Sequence, residues 1–203
     1  MRNIFVTGIG TDVGKTVASA ILTEALHADY WKPIQTGSDL SSDSDFVKSL
    51  LSNKKSIVHP ERYSFKHPLS PHAAAELEGQ KILLSDIEIP KTRNSLIIEG
   101  AGGVLVPLNE NEFMVDMIKK FNVETIIVIQ NYLGSINHSL LTIEVLMKRK
   151  IKILGVIING VPEKASEDII LKHTGVNFLG RINLEETINK DIIVKYAKLF
   201  TKI

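Results

Sequence analysis

The run "NIFVTGIGTDVGKTVASAIL", Asn3 to Leu22, constrains this chain more than any other stretch. An apolar strand leads into a glycine-rich turn, and Gly14-Lys15-Thr16 then opens a segment whose apolar residues Val17, Ala18, Ile21, Leu22, Ala25 and Leu26 recur at helical spacing. Strand, glycine turn and Gly-Lys-Thr at a helix start form the context of a phosphate-binding loop. Glycines let backbone N–H groups turn inward around a polyphosphate, and the helix N-terminus adds partial positive charge. Lys15 can then reach the β- and γ-phosphates, and the Thr16 hydroxyl can ligate Mg²⁺. The glycine spacing departs from the usual G-x-x-x-x-G-K-[ST]: Gly8 is one residue too far from Gly14, and Gly10 one too near.

Short β-branched runs follow at Leu96 to Glu99, Thr125 to Gln130 and Ile153 to Asn159, and with Ile4 to Thr7 they read as strands buried on both faces. Helical spacing returns at Leu140, Leu141, Ile143, Val145, Leu146 and Met147. Strands alternating with helices predict an α/β fold of the P-loop NTPase-like kind, a mostly parallel central sheet with helices on both faces. The segment Ser38 to Asn94 is polar and punctuated by Pro60, Pro68, Pro71 and Pro90, so it is expected to cover the ligand end of the sheet with helices and loops. Ile188, Ile192, Ile193, Tyr196 and Phe200 predict a docking helix near the C-terminus.

With 203 residues, 44% of them hydrophobic, the chain 1–203 is expected to form one domain with a core of its own. Lys and Arg number 24 against 23 Asp and Glu, so overall charge points to neither nucleic acid nor an anionic membrane, and any anion site must be local. The absence of cysteine excludes disulfides, thiolate zinc sites and cysteine nucleophiles, and no histidine pair has metal-site spacing. No apolar run reaches the ~18 residues of a membrane span and no leader is expected, which makes the cytoplasm the expected compartment.

Five motifs in collinear order carry a more specific reading: "VTGIGTDVGKT", "KPIQTG" at Lys32 to Gly37, "SPHAAA" at Ser70 to Ala75, "EGAGG" at Glu99 to Gly103 and "GSINH" at Gly134 to His138. Together they resemble the dethiobiotin synthetase family, whose phosphate loop has the same longer glycine spacing. The resemblance spans Val6 to about Asn159; beyond Gly180 this chain reads "GRINLEE" where family members often carry a proline. It implies an ATP- and Mg²⁺-dependent cyclo-ligase joining 7,8-diaminopelargonic acid and CO₂ into the ureido ring, with release of ADP and phosphate. It also implies a homodimer whose substrate site is shared across subunits.

Carried over residue by residue, the resemblance implies catalytic roles for Lys15, Lys32 and Thr11. It places ATP against Asp12, Val13, Gly14, Lys15, Thr16, Val17, Glu99, Gly100, Ala101, Gly102, Asn159 and Gly160, with Asn159 reading the adenine. The diamine is expected at Asp12, Lys32, Thr36, Pro71 and Gly102, and at Gly134, Ser135 and Asn137 of the neighbouring subunit. Asp12 stands where many members carry Glu. Metal ligation is expected from Thr16, Glu99 and Asp45, with Asp43 as the alternative carboxylate. Read from the residues alone, Glu99 ends a strand where an open α/β sheet presents ligands, whereas Asp39, Asp43 and Asp45 of "SDLSSDSDF" equally suit loop or N-cap positions. Ser70 is expected to cap a helix that Pro71 begins.

Competing readings remain distinct in what they require. A P-loop ATPase switch of the partition or site-selecting type usually carries an extra lysine early in the loop, where this chain has Gly10, and its membrane-binding forms end in a basic amphipathic helix, where this tail is mixed. A corrinoid-pathway amidotransferase needs a glutaminase domain that 203 cysteine-free residues do not supply. A regulatory nucleotide-binding module would bind ATP without turnover dependent on a diamine.

Overall fold

A computed structural model describes residues 2–39 and 42–203; Leu40 and Ser41 of the "SDLSSDSDF" run lie outside the described residues. The chain runs β1 (Asn3–Gly8), α1 (Lys15–Leu26), β2 (Asp29–Trp31), β3 (Ile34–Thr36), α2 (Asp43–Leu50), β4 (Val58–His59), β5 (Tyr63–Phe65) and α3 (Pro71–Leu77). It continues through β6 (Leu96–Gly103), α4 (Met114–Phe121), β7 (Glu124–Gln130), α5 (Ser135–Lys148), β8 (Ile153–Asn159), α6 (Lys164–Thr174), β9 (Phe178–Ile182) and α7 (Lys190–Ala197). Seven strands form one sheet in the order β4-β2-β6-β1-β7-β8-β9, and each neighbouring pair is parallel.

The continuous apolar runs form the middle of this sheet because every side chain there is covered. Ile126, Ile127, Val128 and Ile129 of β7 are all fully buried, as are Ile4, Phe5 and Val6 of β1. From β1 the chain crosses by α1 to β2 on one side, and by α4, α5 and α6 it advances through β7, β8 and β9 on the other. Right-handed crossovers in opposite directions put the two helix groups on opposite faces. Arg149 on the turn after α5 pairs with Asp116 of α4 at 2.5 Å, consistent with those helices sharing a face. The expected C-terminal helix is α7, which docks on α1 and buries Ile193, Tyr196 and, just beyond it, Phe200.

The segment Ser38 to Asn94 holds more strand than its polarity suggests. β4 pairs with β2 to become the edge of the main sheet, and β5 pairs with β3 in a separate two-stranded sheet above it. Both strands are only two or three residues long, too short for an alternating pattern to register in the sequence. Pro71 begins α3 as expected, but Ser70 makes no capping bond; its hydroxyl instead meets His72 Nδ1 at 3.1 Å. Strand ends β1, β2 and β6 open toward a common rim, and the three loops leaving it carry three of the five motifs, with "SPHAAA" on α3 and "GSINH" after β7.

Candidate active site

The loop after β1 folds tightly because two of its residues adopt left-handed backbone angles, Asp12 at φ 58° and Gly14 at φ 92°. Gly14 also packs against the Asn159 side chain, leaving no room for a Cβ. It caps α1 without any side chain, so the first N–H groups of that helix remain available to an anion. Lys15 is buried, and its ammonium donates to the carbonyl of Gly10 at 2.8 Å, folded back over the loop. Burial is the main influence lowering its pKa, Lys32 adds to it, and Glu99 and Asp43 oppose it.

Opposite the loop, β6 delivers Glu99 and β2 leads into Lys32. The Thr16 hydroxyl lies 2.9 Å from Glu99 Oε1 and 3.0 Å from Asp43 Oδ1. Lys32 Nζ donates to Glu99 Oε1 at 3.2 Å and to Asp43 Oδ2. Burial alone would lower the Lys32 pKa, but the Glu99 and Asp43 carboxylates outweigh it and hold that pKa above the ordinary lysine value. Asp43 responds in the opposite sense: burial raises it, yet Lys32 and the Thr16 hydroxyl bring it below the ordinary carboxylate value. From the interior side Tyr30, fully buried, donates its phenol hydrogen to Glu99 Oε2 at 2.9 Å, and burial pushes its pKa well up.

These groups edge a cavity of about 810 Å³. Thr11, Asp12, Gly14, Lys15, Thr16, Val17, Lys32, Thr36, Asp43, Pro71, Glu99, Ala101 and Gly102 all line it, so most residues named from the sequence converge. Asp45 does not. It is exposed and borders a smaller cleft with Lys48, His59 and Glu61, while Asp43 faces Thr16 and Lys32. Two residues along α2 are separated by about 200° of rotation, so only one of the pair can point inward. The helix phase is set by Ser42, whose hydroxyl accepts from Ser44 N at 3.1 Å and Asp45 N at 3.4 Å, and by Gln35, whose side-chain oxygen accepts from Asp43 N at 3.1 Å.

Other expected residues lie outside the cavity. Val13 is buried beneath the loop, and a Cβ on Gly100 would meet the Phe5 ring, so neither presents a side chain to the cavity. Asn159 sits at the end of β8, where its amide donates to the Val13 carbonyl at 3.0 Å; Gly160 follows it at φ 94°. Gly134, Ser135 and Asn137 open α5 at the far side of β7 and do not border this chain's cavity. Tyr30 and Gln35 escaped the sequence reading because a tyrosine in a short strand and a glutamine inside "KPIQTG" look like ordinary core and loop residues. Their signal is their spacing from Lys32, two residues before it and three after.

Fold, loop and cavity define the class as a P-loop ATPase of the doubly wound, parallel-sheet kind. The septum site-determining protein MinD of Pyrococcus horikoshii, solved with Mg-ADP, is similar at TM-score 0.59 and 17% identity over 99% of this chain and 96% of that one. A ParA family ATPase from Chlorobium tepidum matches at TM-score 0.56 and 14% identity over 97% and 98%. These likenesses are of fold. A family model described as an AAA domain matches residues 2–191. The ATP-dependent dethiobiotin synthetase BioD of Cytophaga hutchinsonii is 52% identical over 98% of both chains, and that of Christiangramia forsetii is 47% identical over 99% of this chain and 97% of its own. The chain belongs to the ATP-dependent dethiobiotin synthetase family.

Proposed function

We propose that the protein, acting as one synthetase domain over 1–203, closes the ureido ring of dethiobiotin from 7,8-diaminopelargonic acid, CO₂ and ATP. The observation that carries this reading is the meeting of a phosphate-binding loop with Lys32, Asp43 and Glu99 in one cavity whose lining also includes the apolar side chains of Leu69, Pro71 and Val106. A cavity with both kinds of lining suits a polyphosphate together with a short aliphatic chain.

One amine takes up CO₂ as a carbamate, a carbamate oxygen attacks the γ-phosphorus, and ADP leaves. The second amine then attacks the carbon of the mixed anhydride, closes the ring and displaces phosphate. Little covalent chemistry falls to the protein, whose work is positioning and charge neutralisation. Lys15 leaves the Gly10 carbonyl for the β- and γ-phosphates. Lys32, already between two carboxylates, neutralises the repulsion between carbamate and γ-phosphate. Thr11 and Asp12 face the amines, Thr36 the carbamate, and Phe46 and Leu69 help exclude water from the anhydride.

Mg²⁺ fits the donor set. Thr16 Oγ1 stands between Asp43 Oδ1 and Glu99 Oε1 with a single hydrogen to give, so one of these two close oxygen contacts is left without a hydrogen, while Lys32 reaches Glu99 Oε1 at 3.2 Å. Hard oxygen donors, one or two of them carboxylates, are what Mg²⁺ takes from protein beside phosphates and water. Thr16, Glu99 and Asp43, in place of Asp45, would hold it, and when bound it would supply charge neutralisation on the phosphates. Asn159 is assigned the adenine.

A homodimer is supported by the apolar apex before α5, where Tyr132, Leu133 and Ile136 are exposed, Leu133 completely. Gly134, Ser135 and Asn137 on that apex would reach the substrate carboxylate of a second copy through the free N–H groups of α5. No helix among the described residues is long and apolar enough to cross a membrane, consistent with a cytoplasmic enzyme. ADP release with ATP, Mg²⁺ and bicarbonate, with and without the diamine, tests the reaction. Diamine-dependent ADP with equimolar dethiobiotin supports it; ATP binding without such turnover leaves the switch reading, which draws on fold alone.

A further inference from the structure

Glu99 is held differently on its two oxygens. Oε1 faces the cavity, Thr16 and Lys32; Oε2 faces inward and accepts the Tyr30 hydroxyl at 2.9 Å. Tyr30 is fully buried, lies on β2 opposite Ile97, two residues before Glu99 on the adjacent strand, and does not line the cavity. Residues two apart on one strand share a face, so the phenol reaches Glu99 from beneath, on the side closed to solvent.

We infer that Tyr30 is a positioning residue that commits Glu99 to act toward a cation through Oε1 alone, and thereby favours Mg²⁺ over Ca²⁺. The inference rests on the reading of Glu99 as facing a divalent cation. A carboxylate whose one oxygen is held by a hydrogen bond on the side away from the cavity is biased toward monodentate ligation through the other. Mg²⁺, small and octahedral, accepts that arrangement, whereas Ca²⁺ takes more oxygens and readily uses both of one carboxylate. Tyr30→Phe keeps the ring in its packing and removes only the hydroxyl, freeing Oε2 to turn toward the cavity.

The test is calorimetric binding of a non-hydrolysable ATP analogue in Mg²⁺ or in Ca²⁺, for the wild type, Tyr30→Phe and Glu99→Gln. The preference for Mg²⁺ over Ca²⁺ should fall at least about fivefold in Tyr30→Phe, because Ca²⁺ gains a second oxygen. A preference that is unchanged, including one where both affinities move by the same factor, overturns the inference. Glu99→Gln separates the two levels: if its analogue binding keeps the wild-type dependence on divalent cation, Glu99 does not face the cation and the assignment beneath the inference falls with it. Should Tyr30→Phe lose its folding transition, a crystal structure of the wild type with Ca²⁺ and the analogue decides, since one Glu99 oxygen on the cation is expected and two would overturn the inference.

Discussion

Two buried carboxylates on neighbouring strands, Asp29 at the start of β2 and Glu99 well along β6, are both almost inaccessible to solvent yet have opposite kinds of partner. Asp29 Oδ1 accepts from Ile57 N at 2.9 Å and Asn94 Nδ2 at 2.8 Å; Oδ2 accepts from Thr92 Oγ1 at 2.5 Å and lies 2.9 Å from His59 Nε2. Its donors come from loops and strands that must be joined, and they saturate it. Glu99 instead shares one oxygen with a threonine hydroxyl and a lysine ammonium, both beside a cavity. Burial therefore does not distinguish a joint from a site. What does is whether the partners are fixed and complete, or exchangeable and open to a ligand, and the C-terminal ends of parallel strands are where the second condition arises.

Lys15→Ala should lower diamine-dependent ADP release by about a thousandfold or more while the melting transition is retained, because it removes the cation proposed to meet the phosphates. Glu99→Gln should cost about a hundredfold in kcat. An ATP turnover near wild type for either would remove that residue from the machinery.

From the joint side, Asp29→Asn should lower unfolding free energy in urea by about 3 kcal/mol, because an amide cannot accept from all four neighbours, with kcat within about twofold. A larger loss of kcat than of stability would make Asp29 part of the site. The same residue predicts an acid limb. Burial raises its pKa, but the Asn94, Thr92 and Ile57 hydrogen bonds outweigh that and hold it below its unfolded value. Its stabilisation is therefore fully present above about pH 4 and is lost as pH falls through the folded pKa. Urea midpoints between pH 5 and 3 should fall less steeply in Asp29→Asn than in wild type. The smallest effect is expected at Asp45, where Asp45→Asn should change stability by less than about 0.5 kcal/mol and leave the Mg²⁺ dependence of turnover alone, against a clear rise in the Mg²⁺ requirement for Asp43→Asn.

The sequence made the two carboxylates unequally legible. Glu99 could be read because a continuous apolar run ends on it and glycines follow. Asp29 gives no signal, since its partners Ile57, Thr92 and Asn94 lie far along the chain and meet it only after β4 and β6 are in place. The long strands β1, β6, β7 and β8 announced themselves through unbroken β-branched runs, but β4 and β5 are set by tertiary pairing rather than by pattern. The choice between Asp43 and Asp45 needed a helix phase, which Ser42 and Gln35 set through hydrogen bonds no spacing rule encodes.

In the proposed reaction the Glu99 end of the sheet lets a carbamate oxygen, rather than water, take the γ-phosphoryl group. This step is tested most directly by turnover with ¹⁸O-labelled bicarbonate, unlabelled water and 7,8-diaminopelargonic acid, followed by mass analysis of the released phosphate. One labelled oxygen in the phosphate for each dethiobiotin formed is the predicted result, because the attacking carbamate oxygen leaves with phosphorus when the ring closes. Unlabelled phosphate alongside dethiobiotin would contradict the account.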